Sequence, residues 1–236
     1  MPTVDTHPWS RFGPRAWKQV RVTKSAFTED GNLQRTSETV THTRVTRVFG
    51  NHFSLCVTAE VVAGGREFAP EPQTVTCDVA PGLSSSELVG TEQLRINGRG
   101  FRTQVIRLTT RDGTTRRIST LHHCADTRPS ILKQHVKIED VKTGTVLSET
   151  TMTVTHLDKP VDVLGEEQGA WFVTTVLTRK DGTVTTQEVM CHDVPGEMVS
   201  QVTEERDAKG RLLLRTELEL EGYGYGLMRR LFRRLR

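Results

Sequence analysis

Three cysteines recur at equivalent places in this chain of 236 residues. They open the segments Cys77-Asp78-Val79-Ala80-Pro81-Gly82, Cys124-Ala125-Asp126-Thr127-Arg128-Pro129 and Cys191-His192-Asp193-Val194-Pro195-Gly196, and His122, His123 and His192 lie beside two of them. Thiolate and imidazole are the usual ligands of zinc. A structural site takes four, normally with a local pair such as Cys-x2-Cys or His-x3-His. No such pair exists here. Equivalent positions on a sheet also stand about 4.8 Å apart per intervening strand, so copies several strands apart cannot share one ion. The three cysteines therefore read as small, soft, easily buried residues placed before a tight turn, and Cys56, which has no counterpart, reads as core. Asp78, Asp126 and Asp193 follow one or two residues later, where a short carboxylate can accept backbone N–H groups and fix the turn. Neither a metal nor a cofactor is expected.

Other catalytic signatures are missing. The sequence contains no Gly-x-Ser-x-Gly elbow, no His-Glu-x-x-His and no phosphate-binding Gly-x-x-x-x-Gly-Lys-Ser/Thr. Asn97-Gly98-Arg99-Gly100 is glycine-rich but opens a strand, so no helix N-terminus is at hand to hold a phosphate. These absences give the expectation of a protein that is not an enzyme.

The segment with a chemistry of its own is the last one. Leu227, Met228, Leu231, Phe232 and Leu235 fall on one arc of about 140° when wound as an α-helix, and Arg229, Arg230, Arg233, Arg234 and Arg236 fill the remainder. Ten residues make a marginal helix alone in water, so this one is expected to form against something else. Three surfaces suit it: the protein's own body, a partner protein, or an anionic membrane. The tail also corrects the charge. The net charge is +3, but with the five tail arginines removed the other 226 residues hold 27 basic and 29 acidic groups, a net of −2. A body of that kind lacks the basic face that a phosphate backbone requires, so no nucleic-acid partner is expected.

The elements that must position these residues are strands. Thr (34) and Val (26) together make up about a quarter of the chain, a bias against helical bundles and doubly wound α/β folds. Turn signals recur at Asp30-Gly31-Asn32, Gly64-Gly65, Asn97-Gly98, Asp112-Gly113, Thr143-Gly144, Asp181-Gly182 and Lys209-Gly210, each between β-rich segments. Several of those segments alternate. Leu212, Leu214, Thr216, Leu218 and Leu220 face one way while Leu213, Arg215, Glu217, Glu219 and Glu221 face the other, and Met152, Val154 and His156 oppose Thr151, Thr153 and Thr155. Roughly a dozen antiparallel strands are expected. Nothing approaches eighteen consecutive apolar residues, and Met1 to His7 show neither a basic nor an apolar leader region, which together give the expectation of a cytoplasmic protein.

The hairpins also repeat. Trp17 to His42, Leu132 to His156 and Val199 to Leu218 are three versions of one hairpin, and the cysteine turns end a second type. The domain organisation expected is an extended N-terminal arm over 1–16, a single β domain over 17–222 with modules near 17–82, 90–157 and 165–222, and a Gly/Tyr hinge with the basic tail over 223–236. The arm carries Trp9 and Phe12 between Pro8 and Pro14, two rings that want burial and suit a plug over one end of the sheet.

A strand that ends before Asp193-Val194-Pro195-Gly196, then Val199 to Val202 and a further hairpin, resembles the lipoprotein-localisation (LolA/LolB-like) superfamily. Leu121 to Val136 carries the same resemblance less closely. The resemblance implies a strongly curved, incomplete antiparallel barrel that shelters acyl chains on a concave apolar face. The fold expected is thus all-β, a curved antiparallel sheet or incomplete barrel built from repeated β-hairpins, with a short C-terminal amphipathic helix. The function expected is non-catalytic binding of an apolar small molecule, a lipid or an extended partner segment on that face. The alternative is a scaffold whose tail makes the partner contact. Circular dichroism should show a strand-dominated spectrum with under roughly 10% helix, well below the globular average; a helical spectrum would overturn this reading.

Overall fold

The computed structural model describes residues 7–49, 52–78 and 86–225. From the N-terminus, β1 (Trp17–Phe27), β2 (Leu33–Phe49) and β3 (His52–Ala63) are followed by two short strands, β4 (Arg66–Phe68) and β5 (Gln73–Asp78). Then come β6 (Ser86–Ile96), β7 (Arg99–Asp112), β8 (Thr115–His123), β9 (Ile131–Asp140) and β10 (Val146–Val163). The last four are β11 (Glu166–Arg179), β12 (Gly182–Cys191), β13 (Met198–Asp207) and β14 (Leu212–Gly224). All seven turn signals fall between consecutive strands. Left-handed backbone at Asn97 and Gly98 (φ 50° and 79°) is the geometry that an Asn-Gly hairpin turn requires.

The strands form one antiparallel sheet in the order β4-β3-β2-β1-β14-β13-β12-β11-β10-β9-β8-β7-β6, with β5 beside β4 on the outer side of β3. Apart from the pairing of β5 with β3, every neighbour is a neighbour in sequence except one: β1 pairs with β14, from Trp17↔Gly224 to Ala26↔Leu214. The chain thus begins in the middle of the sheet, runs to one edge, and reappears at the other. Laid flat, that sheet would be about 58 Å across at about 4.8 Å per strand. Asp78 and Ser86 stand on opposite edges, yet eight Cα steps span at most about 29 Å. The sheet has to curl.

Packing shows the curl directly. Leu94, Ile96 and Phe101, at the β6–β7 hairpin, rest on Leu132, Val154, Trp171 and Val173 of β9, β10 and β11. β6 also touches β10, with three strands lying between them in the sheet. Bulges, which bend and twist a strand, interrupt the ladders at Val45/Arg47, Leu88/Gly90, Val154/His156 and Val189/Met190, among other places. The result is a curved sheet that does not close.

Alternation assigns the two faces. Register carries Val20↔Leu220 and Val22↔Leu218 on one face and Arg21↔Glu219 on the other. The outer face is laced with ion pairs: Arg21 to Glu38 and Glu221, Arg215 to Glu217 (2.6 Å), Arg206 to Glu204 (2.8 Å) and Lys137 to Glu139 (2.7 Å). Partly exposed pairs of this kind contribute little stability each, but they mark the solvated side. Met152 and Val154 face the core as their alternation indicates. His156 does not. The bulge between Val154 and His156 slips the register by one, so His156 pairs with Phe172 and stacks edge-on against it at 5.4 Å.

Among the described residues there is no helix; the expected C-terminal amphipathic helix, over residues 227–236, lies outside the described residues. Two expectations need correction. The arm is not extended but winds through turns, with Ser10, Phe12 and Ala16 donating to the carbonyls of His7, Trp9 and Gly13. Tyr223 and Gly224 form no hinge: both belong to β14, because Trp17 lies across that strand and replaces the side chains its glycines lack. A Cβ on Gly224 would sit 2.5 Å from the Trp17 indole Nε1, and one on Gly222 3.3 Å from the ring. Gly224→Val should therefore lower the unfolding free energy by about 1–3 kcal/mol, the usual cost of overpacking; an unchanged urea midpoint would show that the β1–β14 seam does not need this contact.

Candidate functional site

The concave face has a sealed end and an open end. Three apolar clusters fill the sealed end, near the β2, β8, β12 and β14 termini. In the first, Trp9, Phe12 and Ala16 of the arm pack on Val45, Phe53 and Leu55, with Phe12 only 1% exposed. The second is the β9–β11 cluster capped by Ile96. The third joins Val163, Cys191 and Val194 to Leu220 and Tyr223. Each buried Leu, Val or Phe contributes about 1.5–3 kcal/mol, so this end holds the sheet in its curve. Tyr225, which follows β14, joins this end, stacking on Phe12 at 6.1 Å and donating its hydroxyl hydrogen bond to the Asp193 carbonyl.

A charged clasp holds the arm in place. The Arg11 guanidinium reaches the Glu197 carboxylate at 2.6 Å and also donates to the His192 carbonyl and ring. Arg128, from the β8–β9 turn, meets the same imidazole at 3.1 Å. Gly196 and Glu197 both take left-handed backbone (φ 72° and 62°). At Gly196 this is needed as well as allowed, because a side chain there would run into the Trp9 indole. Lys18 lies over the face of Trp9, 5.5 Å from the ring. Burial pushes its ammonium down to about 8, and the charge of Glu197 pulls in the opposite direction.

The cysteines are brought to this end but not to one another. Cys77 packs on the first cluster, Cys124 belongs to the second and Cys191 to the third. No group of three His, Cys, Asp or Glu side chains suited to a metal ion occurs among the described residues. Cys191 donates its thiol hydrogen to the Gln168 carbonyl oxygen at 3.0 Å, Gln168 in turn holds the Tyr223 hydroxyl at 2.9 Å, and burial pushes the thiol pKa up. A thiol protonated this firmly is a poor nucleophile. The repeated turns close alike: Cys124 N–H donates to the Ser130 carbonyl and Cys191 N–H to the Glu197 carbonyl, both at 2.7 Å and both six residues on. The carboxylates of Asp126 and Asp193 do not close them, as the aspartate reading required; backbone bonds and, in the first turn, the Thr127 hydroxyl do.

Above the clusters the concave face is only half-buried. Its rungs follow from the register. One runs Val173, Glu188, Gln201, Leu218, Val22; the next toward the rim runs Thr175, Thr186, Thr203, Thr216, Lys24; the third runs Leu177, Val184, Glu205, Leu214, Ala26. This surface mixes aliphatic with hydroxyl and amide side chains, where a purely apolar lining was expected. Glu188 stands out because burial raises its carboxyl pKa. Sequence reasoning missed Lys18 and Glu188. The parity of Val184-Thr185-Thr186-Gln187-Glu188-Val189-Met190 held the signal for Glu188, an acid two residues from an inward methionine. The docking-tail residues, Leu227 to Arg236, lie outside the described residues.

No family model and no curated protein matches the sequence. Among solved structures, the chain is similar over 90% of its length to 98% of a protein described as exported, with a YmcC-like fold, from Bacteroides fragilis (8% identity, TM-score 0.33). Over the same shares it is similar to a protein described as a lipoprotein from Parabacteroides distasonis (12% identity, TM-score 0.36). A DUF1329 family protein from Desulfovibrio piger is similar over 92% of this chain and 88% of its own (8% identity, TM-score 0.34). None of the three is described as a lipoprotein-localisation carrier, so that resemblance broadens to a general one. The architecture given above rests on this chain's own strand pairing. Two of the three descriptions are of an exported protein and a lipoprotein, and the expectation of a cytoplasmic location is withdrawn on that finding.

Lys18 gives the clasp a pH signature. Its folded pKa of about 8 lies below the ordinary 10.5, so between those values the unfolded chain holds more protons than the fold. Stability from this group is therefore gained as pH rises through that window. Lys18→Met should be stabilised relative to wild type near pH 7, and that relative advantage should shrink as pH is raised to 10.5. A pH-independent difference in urea unfolding would place the ammonium in water instead.

Proposed function

We propose that this protein is a non-catalytic binder that holds an apolar chain on the concave face of its open sheet. One observation carries the reading: the inner face divides into a sealed, close-packed end and a half-buried upper half. A sheet needed only as a scaffold gains stability by filling its interior. Here inward Val22, Val184, Leu177 and Leu218 remain partly exposed in a concave setting, the arrangement that shelters a flexible hydrocarbon. The absence of catalytic motifs and the protonated, anchored Cys191 thiol support a binding role rather than chemistry.

The tail is proposed as a docking element for an anionic membrane surface or a partner protein. Its attachment point supports an external contact: β14 ends at the sealed end, opposite the rim, and Tyr225 is fixed there. As a helix, ten residues would extend about 15 Å, whereas the thirteen residues of β14 span about 43 Å. A tail of that length, if helical, would be too short to run back along β14 to the rim.

Two sets of measurements test this, one for the concave face and one for the tail. N-phenyl-1-naphthylamine should brighten on binding the protein and be displaced by dodecanol, and native mass spectrometry should detect a co-purified amphiphile; a protein that neither binds the probe nor carries an amphiphile is not a binder. Removing residues 227–236 shifts the net charge from +3 to −2. At about 1 kcal/mol per arginine near an anionic surface, the truncation should abolish sedimentation with phosphatidylglycerol vesicles at low salt. If the tail docks outside the body, the melting temperature of the truncated protein should stay within about 2 °C of the full chain's. A fall of many degrees would mean that the tail packs on the body.

A further inference from the structure

We infer that the concave face is specific for amphiphiles whose polar end is a protonated amine, which seats on the Glu188 carboxylate. The inference rests on the binding reading above and assigns the headgroup.

The position of Glu188 is set by its ladders. It stands opposite Val173 on β11 and opposite Gln201 on β13, and both pairings put it on the inner face. The rung below it, toward the sealed end, holds Trp171 and Met190, both of the cluster capped by Ile96. The rung above holds Thr175, Thr186 and Thr203. Glu188 is therefore the last inward side chain of β12 before the close-packed cluster, at the floor of the open concavity.

Its neighbours leave it alone. Gln201 donates its side-chain N–H to the Thr203 hydroxyl at 3.0 Å, and Thr203 shares a hydrogen bond with Thr186 at 3.1 Å. These three polar groups satisfy one another, and Glu188 makes no hydrogen bond or ion pair among the described residues. No Lys, Arg or His occupies its own rung or the rung on either side across β11, β12 and β13. The nearest inward acid on these strands is Glu205, two rungs toward the rim and opposite Val184. Burial without a cation raises the Glu188 pKa. A desolvated carboxylate left without a partner is a cost to the fold that a leucine would avoid. A ligand ammonium would supply both the missing charge and the missing donors, while its hydrocarbon ran toward the rim past Leu177, Val184 and Leu214.

The ordinary alternative is an acid whose oxygens point up into water. It predicts no headgroup preference, which makes the two separable. Displacement of bound N-phenyl-1-naphthylamine by dodecylamine, dodecanol and dodecanoate, each below its micellar concentration, is measured on the full chain and on Glu188→Gln. Dodecylamine should displace the probe at about tenfold lower concentration than dodecanol, with dodecanoate the weakest. In Glu188→Gln the amine and the alcohol should agree within about twofold while dodecanol displacement is unchanged, which also shows that the variant is folded. Lowering the pH through the raised Glu188 pKa should erase the wild-type preference, since the carboxyl is then neutral while the amine stays charged. Equal displacement by amine and alcohol in the wild type, or a preference that survives in Glu188→Gln, overturns the headgroup assignment and leaves the binding reading intact. Failure of every amphiphile, dodecanol included, overturns both.

Discussion

The pairing of β1 with β14 is the interaction on which the rest of the structure depends. It joins Trp17 to Gly224 across most of the chain and sets the first strand in the middle of the sheet instead of at an edge. Without it there would be two meanders, β1–β5 and β6–β14, with separate edges and no reason to curve around a common interior. With it, the short connection from Asp78 to Ser86 has to bridge opposite edges, and only a curled sheet brings them near enough. The seam is made locally tight by glycine. Gly222 and Gly224 let the Trp17 ring lie flat on the neighbouring strand, and Trp17 in turn stacks on His42 at 5.3 Å, so one side chain ties β14, β1 and β2 together.

From that seam the asymmetry of the two ends follows. The N-terminal segment enters at the sealed end, because β1 starts there, and β14 delivers Tyr223 and Tyr225 to the same place. The two aromatic contributions meet from opposite termini, with Phe12 stacked on Tyr225 and Tyr225 edge-on to Tyr223 at 5.8 Å. The β12–β13 turn supplies the remaining partner through the Arg11–Glu197 pair. The opposite end, made of hairpin turns of two to five residues, receives no such plug among the described residues. A strand face that is covered below and half-buried above leaves concave surface for something else to cover, and this is the physical basis of the proposed binding role.

Repetition explains the cysteines better than chemistry does. Two turns share one closure, with the cysteine N–H reaching a carbonyl six residues later, and each buries its thiol in a different cluster. A residue that recurs because its turn recurs needs no common ligand. Glu188, by contrast, stands among threonines and aliphatics on β12, and Gln201, Thr203 and Thr186 satisfy one another around it.

The strand content, the seven turn positions and the faces of β14 were legible in the sequence, because period-two alternation and Asn-Gly or Asp-Gly turns act within a few residues. The burial of Trp9 and Phe12 was foreshadowed by two aromatic rings between prolines, although their turn-rich path was not. The register was less legible: a single bulge sends His156 outward, against an alternation that appears regular on paper. The β1–β14 pairing, the sealed end and the isolation of Glu188 were decided only by the tertiary structure. Each depends on which residues some 10 to 200 positions apart come to lie side by side. Local propensity is silent about such long-range pairing, since any Thr- and Val-rich strand can hydrogen-bond to any other until bulges, glycines and buried rings select one partner.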